Sequence, residues 1–148
     1  MANMARLQID NEALANEYFE NSVVIAIQTS LHPHKFIWMV NEQFRFDFRY
    51  QHGSELELER KGRKFVFPIF RYVEERVSGQ HVIYTNQNDG EYLLPEMRHT
   101  DYLWFVQMDV PSRELADILA QELRKLDAIQ MVSTLENDKI KNKQNLIL

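Results

Sequence analysis

Residues 102–134 read YLWFVQMDVPSRELADILAQELRKLDAIQMVST, and their pattern decides the fold class. Tyr102–Val106 is nearly all apolar, so both of its faces need cover, which predicts an interior strand. Pro111 and Ser112 open the clearest helix in the chain, with Ser112 as the expected N-cap. Leu115, Ile118, Leu119, Leu123 and Leu126 recur at helical spacing, and Glu114, Asp117, Glu122, Arg124 and Lys125 fall outside that stripe. Acids come early and bases late, as the helix dipole prefers. The spacing predicts a helix over about 112–126, followed by a strand at Ala128–Thr134.

A second strand–helix pair stands nearer the start. Val23–Gln28 is apolar on both faces and rich in β-branched residues, the pattern of a central strand. Pro33 suits the first position of a helix, and Phe36, Ile37, Val40 and Phe44 follow at helical spacing, so a helix is expected over about 33–43. A short helix is also expected at 11–15, with Asp10 or Asn11 as its cap.

Between the two pairs the period changes to two. Phe44, Phe46, Phe48 and Tyr50 alternate with polar residues, and Leu56 and Leu58 alternate with glutamates. This predicts a hairpin over about 44–60, closed by Gln51-His52-Gly53, with Phe48 against Leu56 and Arg49 opposite Glu55. Arg60–Arg63 reads as a second turn, and Lys64–Tyr72 as a strand in which Pro68 demands an edge or a bulge. His81–Thr85 is a further strand, and Asn86–Gly90 a strong turn signal. Runs of antiparallel strands with two main helices mean an α+β fold. The frame fits a ferredoxin-like core with an insertion, or an antiparallel sheet with helices on one face and another pairing.

The chain has 148 residues, 45% of them apolar, with 17 basic and 22 acidic residues, for a net charge of −5. One α+β domain is expected over 1–136, followed by a polar, basic tail at 137–148 that is solvated. Residues 139–148 carry Lys139, Lys141 and Lys143 and no acid, so the body up to Asp138 is more acidic than the whole. An acidic body is a poor partner for a phosphate backbone, and no nucleic-acid partner is expected. The aromatic row beside Arg45 and Arg49 is no base-stacking platform, because the rings and the arginines point to opposite faces. No apolar run approaches the ~20 residues of a membrane helix, and the first residues carry no secretory pattern, so a cytoplasmic protein without a membrane partner is expected.

The chain has no cysteine, which excludes disulfides, thiol catalysis and thiolate metal sites. No G-x-S-x-G and no glycine-rich phosphate loop is present. His32 and His34 bracket Pro33, and His99 lies near Glu96 and Asp101, but neither group has the ligand spacing of a zinc site. No metal, no cofactor and no catalytic residue is expected.

Residues 94–102 read LPEMRHTDY. This segment resembles the signature of the IPExxxVDY family of small bacterial proteins. Pro95, Glu96, Asp101 and Tyr102 match as they stand, while Leu94 replaces Ile and Thr100 replaces Val. The resemblance extends over most of the chain and implies a cytoplasmic bacterial protein, with no activity and no catalytic residues to carry over. Physically, the segment is a loop feeding an interior strand. Glu96 and Asp101 can accept hydrogen bonds from loop N–H groups, and Tyr102 can bury its ring. Either the loop is structural, or Glu96, Arg98, His99 and Asp101 form a binding surface.

Trp38 falls off the Phe36/Val40 stripe with Met39 near it, an expected interaction patch. The functional expectation is a non-enzymatic binding or protein-interaction domain, its partner another protein or a second copy in a homodimer. The alternative is a small ligand-binding domain or enzyme using the Glu96–Tyr102 loop.

Overall fold

The computed structural model describes residues 13–109 and 111–148. Its main sheet is built on β1 (Ser22–Thr29), β6 (Gly79–Thr85), β9 (Tyr102–Met108) and β10 (Ile129–Glu136). Helix α2 (Pro33–Phe44) follows β1, and helix α3 (Ser112–Arg124) joins β9 to β10. The order across the sheet is β10-β1-β9-β6, all antiparallel, and β5 (Ile69–Tyr72) and β2 (Arg49–Tyr50) extend it beyond β6. With the insertion set aside, the chain runs β-α-β-β-α-β, the ferredoxin-like arrangement. The α+β class, both main helices and the insertion agree with the sequence reading.

The central strands are buried on both faces, and each face has its own core. Ile25, Ile27, Ile83, Tyr102, Trp104 and Val106 pack with Phe36, Ile37 and Val40 of α2 and with Ala116, Leu119, Ala120 and Leu123 of α3. Val24, Ala26, Val82, Tyr84, Leu103 and Phe105 point the other way. They are covered by Phe65 and Phe67 of β4 (Arg63–Phe67), by Leu93 and Leu94, and by Ile140 and Leu146 near the C-terminus. Ala116 and Ala120 lie on the inner face of α3, where small side chains let the helix approach the sheet closely. Ile118, expected in the apolar stripe, is 58% exposed.

Several expectations are corrected. The hairpin over 44–60 does not form. Phe44, Phe46, Phe48 and Tyr50 do line one core, but Tyr50 pairs with Phe70 of β5. Leu56 and Leu58, on β3 (Leu56–Arg60), belong to the opposite core and pair with Phe67 and Phe65 of β4. The two rows lie on opposite sides of the main sheet, so they cannot meet. The turn that does close is Lys61-Gly62, with φ of 54° and 74°, the two positive values a two-residue type I′ turn needs. Pro68 separates β4 from β5 and accepts a hydrogen bond from Thr85 N–H at 3.1 Å through its carbonyl, so the predicted single strand is two.

Ser112 is not the N-cap of α3, a position held by Pro111. Its hydroxyl instead donates to Asn21 O (2.6 Å) and accepts from Met108 N–H (3.0 Å), tying the helix start to the end of β9. A short helix α1 covers 13–18, and its expected caps at Asp10 and Asn11 lie outside the described residues.

The segment 137–148 is not a solvated tail. Two 3₁₀ turns, Asn137–Lys139 and Lys143–Leu146, carry it across the second face of the sheet. Leu146 is 0% exposed, and its carbonyl accepts from the Tyr84 hydroxyl at 2.7 Å. Lys143 lies over the Phe19 ring at 5.6 Å.

Leu146→Ala should therefore cost about 2–5 kcal/mol in urea unfolding, the range for a buried leucine truncated to alanine. A change within ~0.5 kcal/mol would mean the segment contributes no core.

Candidate functional site

The loop between β6 and β9 begins with Asn86, whose side chain is fully buried. Its Nδ2 donates to Met97 O (2.9 Å) and Thr100 O (2.8 Å), and its Oδ1 accepts from Leu94 N–H (2.9 Å). Its backbone N–H donates to Asp101 O (2.9 Å), and its carbonyl accepts from Leu93 N–H (2.8 Å). One side-chain amide thus satisfies backbone groups at Leu94, Met97 and Thr100, in a segment that enters from the fully buried Leu93 and Leu94. In the sequence, Asn86 reads only as a turn residue. Its place directly after an apolar strand, opening a long excursion, was the available signal. Within that excursion, β7 (Gln87–Asn88) and β8 (Glu91–Tyr92) form a small hairpin around Asp89-Gly90.

The residues picked out from the motif take up separate structural tasks. Asp101 Oδ2 accepts from Thr29 N–H at 2.9 Å, and Asp101 N–H donates to Ile27 O at 2.8 Å, so Asp101 holds the loop to the end of β1. Tyr102 stacks on Phe36 at 4.1 Å between centroids, and its hydroxyl donates to Leu31 O at 2.7 Å. Burial raises the pKa of that phenol, with the Asp101 charge adding to it. Glu96 reaches a different part of the chain: Oε1 accepts from Asn142 N–H (2.9 Å) and Oε2 from Asn142 Nδ2 (2.7 Å). Partial desolvation pushes the Glu96 carboxyl up, and the Asn142 hydrogen bonds outweigh it, leaving the pKa below its ordinary value. Pro95 is half-buried beside the exposed Glu96. Arg98 and His99 are exposed. Glu96 and Asp101 are therefore turned to different N–H donors rather than toward one reacting point.

A second buried polar group lies under the helices. His81 is 0% exposed, ringed by Phe46, Phe48, Tyr72 and Trp104. Trp104 Nε1–H donates to His81 Nδ1 at 3.0 Å, which leaves the ring proton on Nε2, 3.4 Å from Glu74 Oε1. Burial lowers the His81 pKa, with Glu74 acting against it.

The expected patch on α2 divides. Trp38 is 64% exposed, whereas Met39 packs against the helix-side core. His32 and His34 are exposed at the start of α2, and among the described residues no group of three or more His, Asp or Glu is placed to hold a metal ion. No helix among the described residues is long and apolar enough to cross a membrane.

Asp101→Ala leaves the Thr29 N–H without its acceptor and should cost about 1–3 kcal/mol by chemical denaturation, while Asp101→Asn, which keeps an acceptor, should cost less. His81 should stay neutral as pH falls through its ordinary value near 6.5, seen as a ring resonance that does not titrate there. Because the unfolded chain does take up that proton, His81 contributes stability that is full above about pH 6.5 and is lost as pH falls toward its depressed folded value. His81→Gln should flatten that part of the stability–pH curve. No family model matches the chain, and no curated protein matches it.

Proposed function

We propose that this chain is a non-enzymatic binding domain, a cytoplasmic protein of the IPExxxVDY type, whose contact surface is the outer face of α2. The carrying observation is Trp38, 64% exposed in a chain whose other tryptophan, Trp104, is fully buried. An indole held in water is a large apolar area left uncovered, and tryptophan is enriched among the residues that anchor protein contacts. Four residues before Trp38 and four after it on α2 stand His34 and Glu42, both exposed, which gives the indole a polar rim. The LPEMRHTDY segment supports the family assignment, and the structural use of Glu96 and Asp101 favours a binding role over a catalytic one. The partner is a protein, and the first to test is a second copy.

Light scattering over a concentration series is the test. In the self-association form, the mass rises above 17.7 kDa for the wild type and stays there for Trp38→Ala, with thermal stability unchanged. A constant mass removes the second copy as partner. Equal capture of cellular proteins by wild type and Trp38→Ala would then overturn the role of this face.

A further inference from the structure

A cleft of about 420 Å³ opens where the turn after β3, strand β8 and the LPEMRHTDY loop come together. Its lining is cationic, in a chain whose net charge is −5. Arg60 and Lys61 reach it from a hairpin tip and Arg98 from the motif loop, against one carboxylate, Glu91. No ion pair among the described residues includes any of the three cations. The neighbouring acids are engaged elsewhere. Asp89 pairs with Arg63 at 2.9 Å, and Glu96 accepts from Asn142 through both of its oxygens. Glu91 Oε1 lies 3.4 Å from the Tyr92 N–H. Three cations are thus held around one concavity without a counter-charge, which keeps its potential positive.

The walls are tied together from outside the cleft. The Arg63–Asp89 pair and a hydrogen bond from Asn88 Nδ2 to Val66 O join the β3–β4 hairpin to the β7–β8 hairpin. Glu96 fixes the motif loop to Asn142. The cleft therefore exists before anything enters it, which lowers the cost of binding. Its lining is not polar alone. Tyr92 and Pro95, both half-buried, add an aromatic ring and a flat apolar ring to it.

We propose that this cleft binds a nucleoside phosphate, with the phosphate among Arg60, Lys61 and Arg98 and the base against Tyr92 and Pro95. A phosphate monoester brings close to two negative charges and three acceptor oxygens, which suits three cations better than a single carboxylate does. Each guanidinium can hold two phosphate oxygens at once, and the lysine adds a point charge. A base offers a flat π face to the tyrosine ring. Inorganic phosphate would leave both rings uncovered, and a neutral nucleoside would leave the charge unmet. The volume lies within the roughly 300–1,000 Å³ of small-molecule sites. A nucleic-acid strand is a poorer occupant, because the acidic body repels a phosphate backbone. The cleft and α2 stand on opposite faces of the main sheet, so this site is separate from the α2 face.

The test uses the full chain and the four common ribonucleoside 5′-monophosphates singly, read by calorimetry and thermal shift. The controls are the matching nucleosides, ribose 5-phosphate and inorganic phosphate. At least one nucleotide should bind saturably, raise Tm, and bind about tenfold or more tighter than any control. Arg60→Gln and Arg98→Gln should each weaken that binding by about tenfold or more. Neither side chain is in an ion pair, so the unliganded Tm of both variants should match the wild type, which separates lost binding from lost folding. The proposal is overturned if no nucleotide binds, if a nucleoside, ribose 5-phosphate or phosphate binds as tightly as the best nucleotide, or if both arginine variants bind unchanged.

Discussion

Three strands with two apolar faces govern this structure. β1, β6 and β9 present Ile, Val, Phe, Leu, Tyr and Trp side chains to both sides of the sheet, so a single layer of helices leaves half of that surface in water. Helices α2 and α3 cover one side, as a β-α-β-β-α-β chain must. The second side is closed by pieces that the ferredoxin-like frame does not contain: the β3–β4 hairpin, the loop before β9, and the segment 137–148. The insertion and the C-terminal segment are thus parts of the core.

With one exception among the described residues, the Thr85 hydroxyl, polar side chains enter that core where they have a partner. Asn86 holds its loop through five hydrogen bonds, and the Tyr84 hydroxyl, reached by the Tyr18 hydroxyl at 2.7 Å, anchors Leu146. His81 accepts from Trp104 and is sealed by aromatic rings. The motif carboxylates continue this work at the rim. Asp101 fixes the loop to β1, and Glu96 fixes it to Asn142, so one short segment joins the first strand to the last residues of the core.

Much of this was legible in the residues, and what was not has a common cause. Val23–Gln28 and Tyr102–Val106 declared themselves central because no face of either is polar. Pro33 and the Phe36, Ile37, Val40 stripe marked α2 to within one residue of its end. Alternation at Phe44–Tyr50 and at Leu56–Glu59 marks which side chains turn inward, but not that the two rows serve opposite cores, because period two does not say which strand lies beside a segment. Ile140 and Leu146 are spaced among lysines and asparagines with no helical or strand period, so nothing local announced their burial. Asn86 reads as a turn residue because its side chain bonds backbone groups up to fourteen residues away. At the candidate sites, the exposed Trp38 followed from helical geometry. The cationic cleft did not, since Arg60 and Lys61 meet Arg98 only once two hairpins and the motif loop are in place.

The pairing of β1 has a consequence for biosynthesis. Its neighbours are β9 and β10, with Val23 opposite Val106 on one side and Glu136 on the other. An early-made strand must therefore wait, apolar on both faces, for partners that leave the ribosome much later, and the cover supplied by Leu146 comes later still. Long-range pairing of this kind raises contact order and slows folding. Until residues 102–146 have been made, β1 has neither its sheet neighbours nor its full cover, the condition in which an unpaired apolar strand is prone to aggregate.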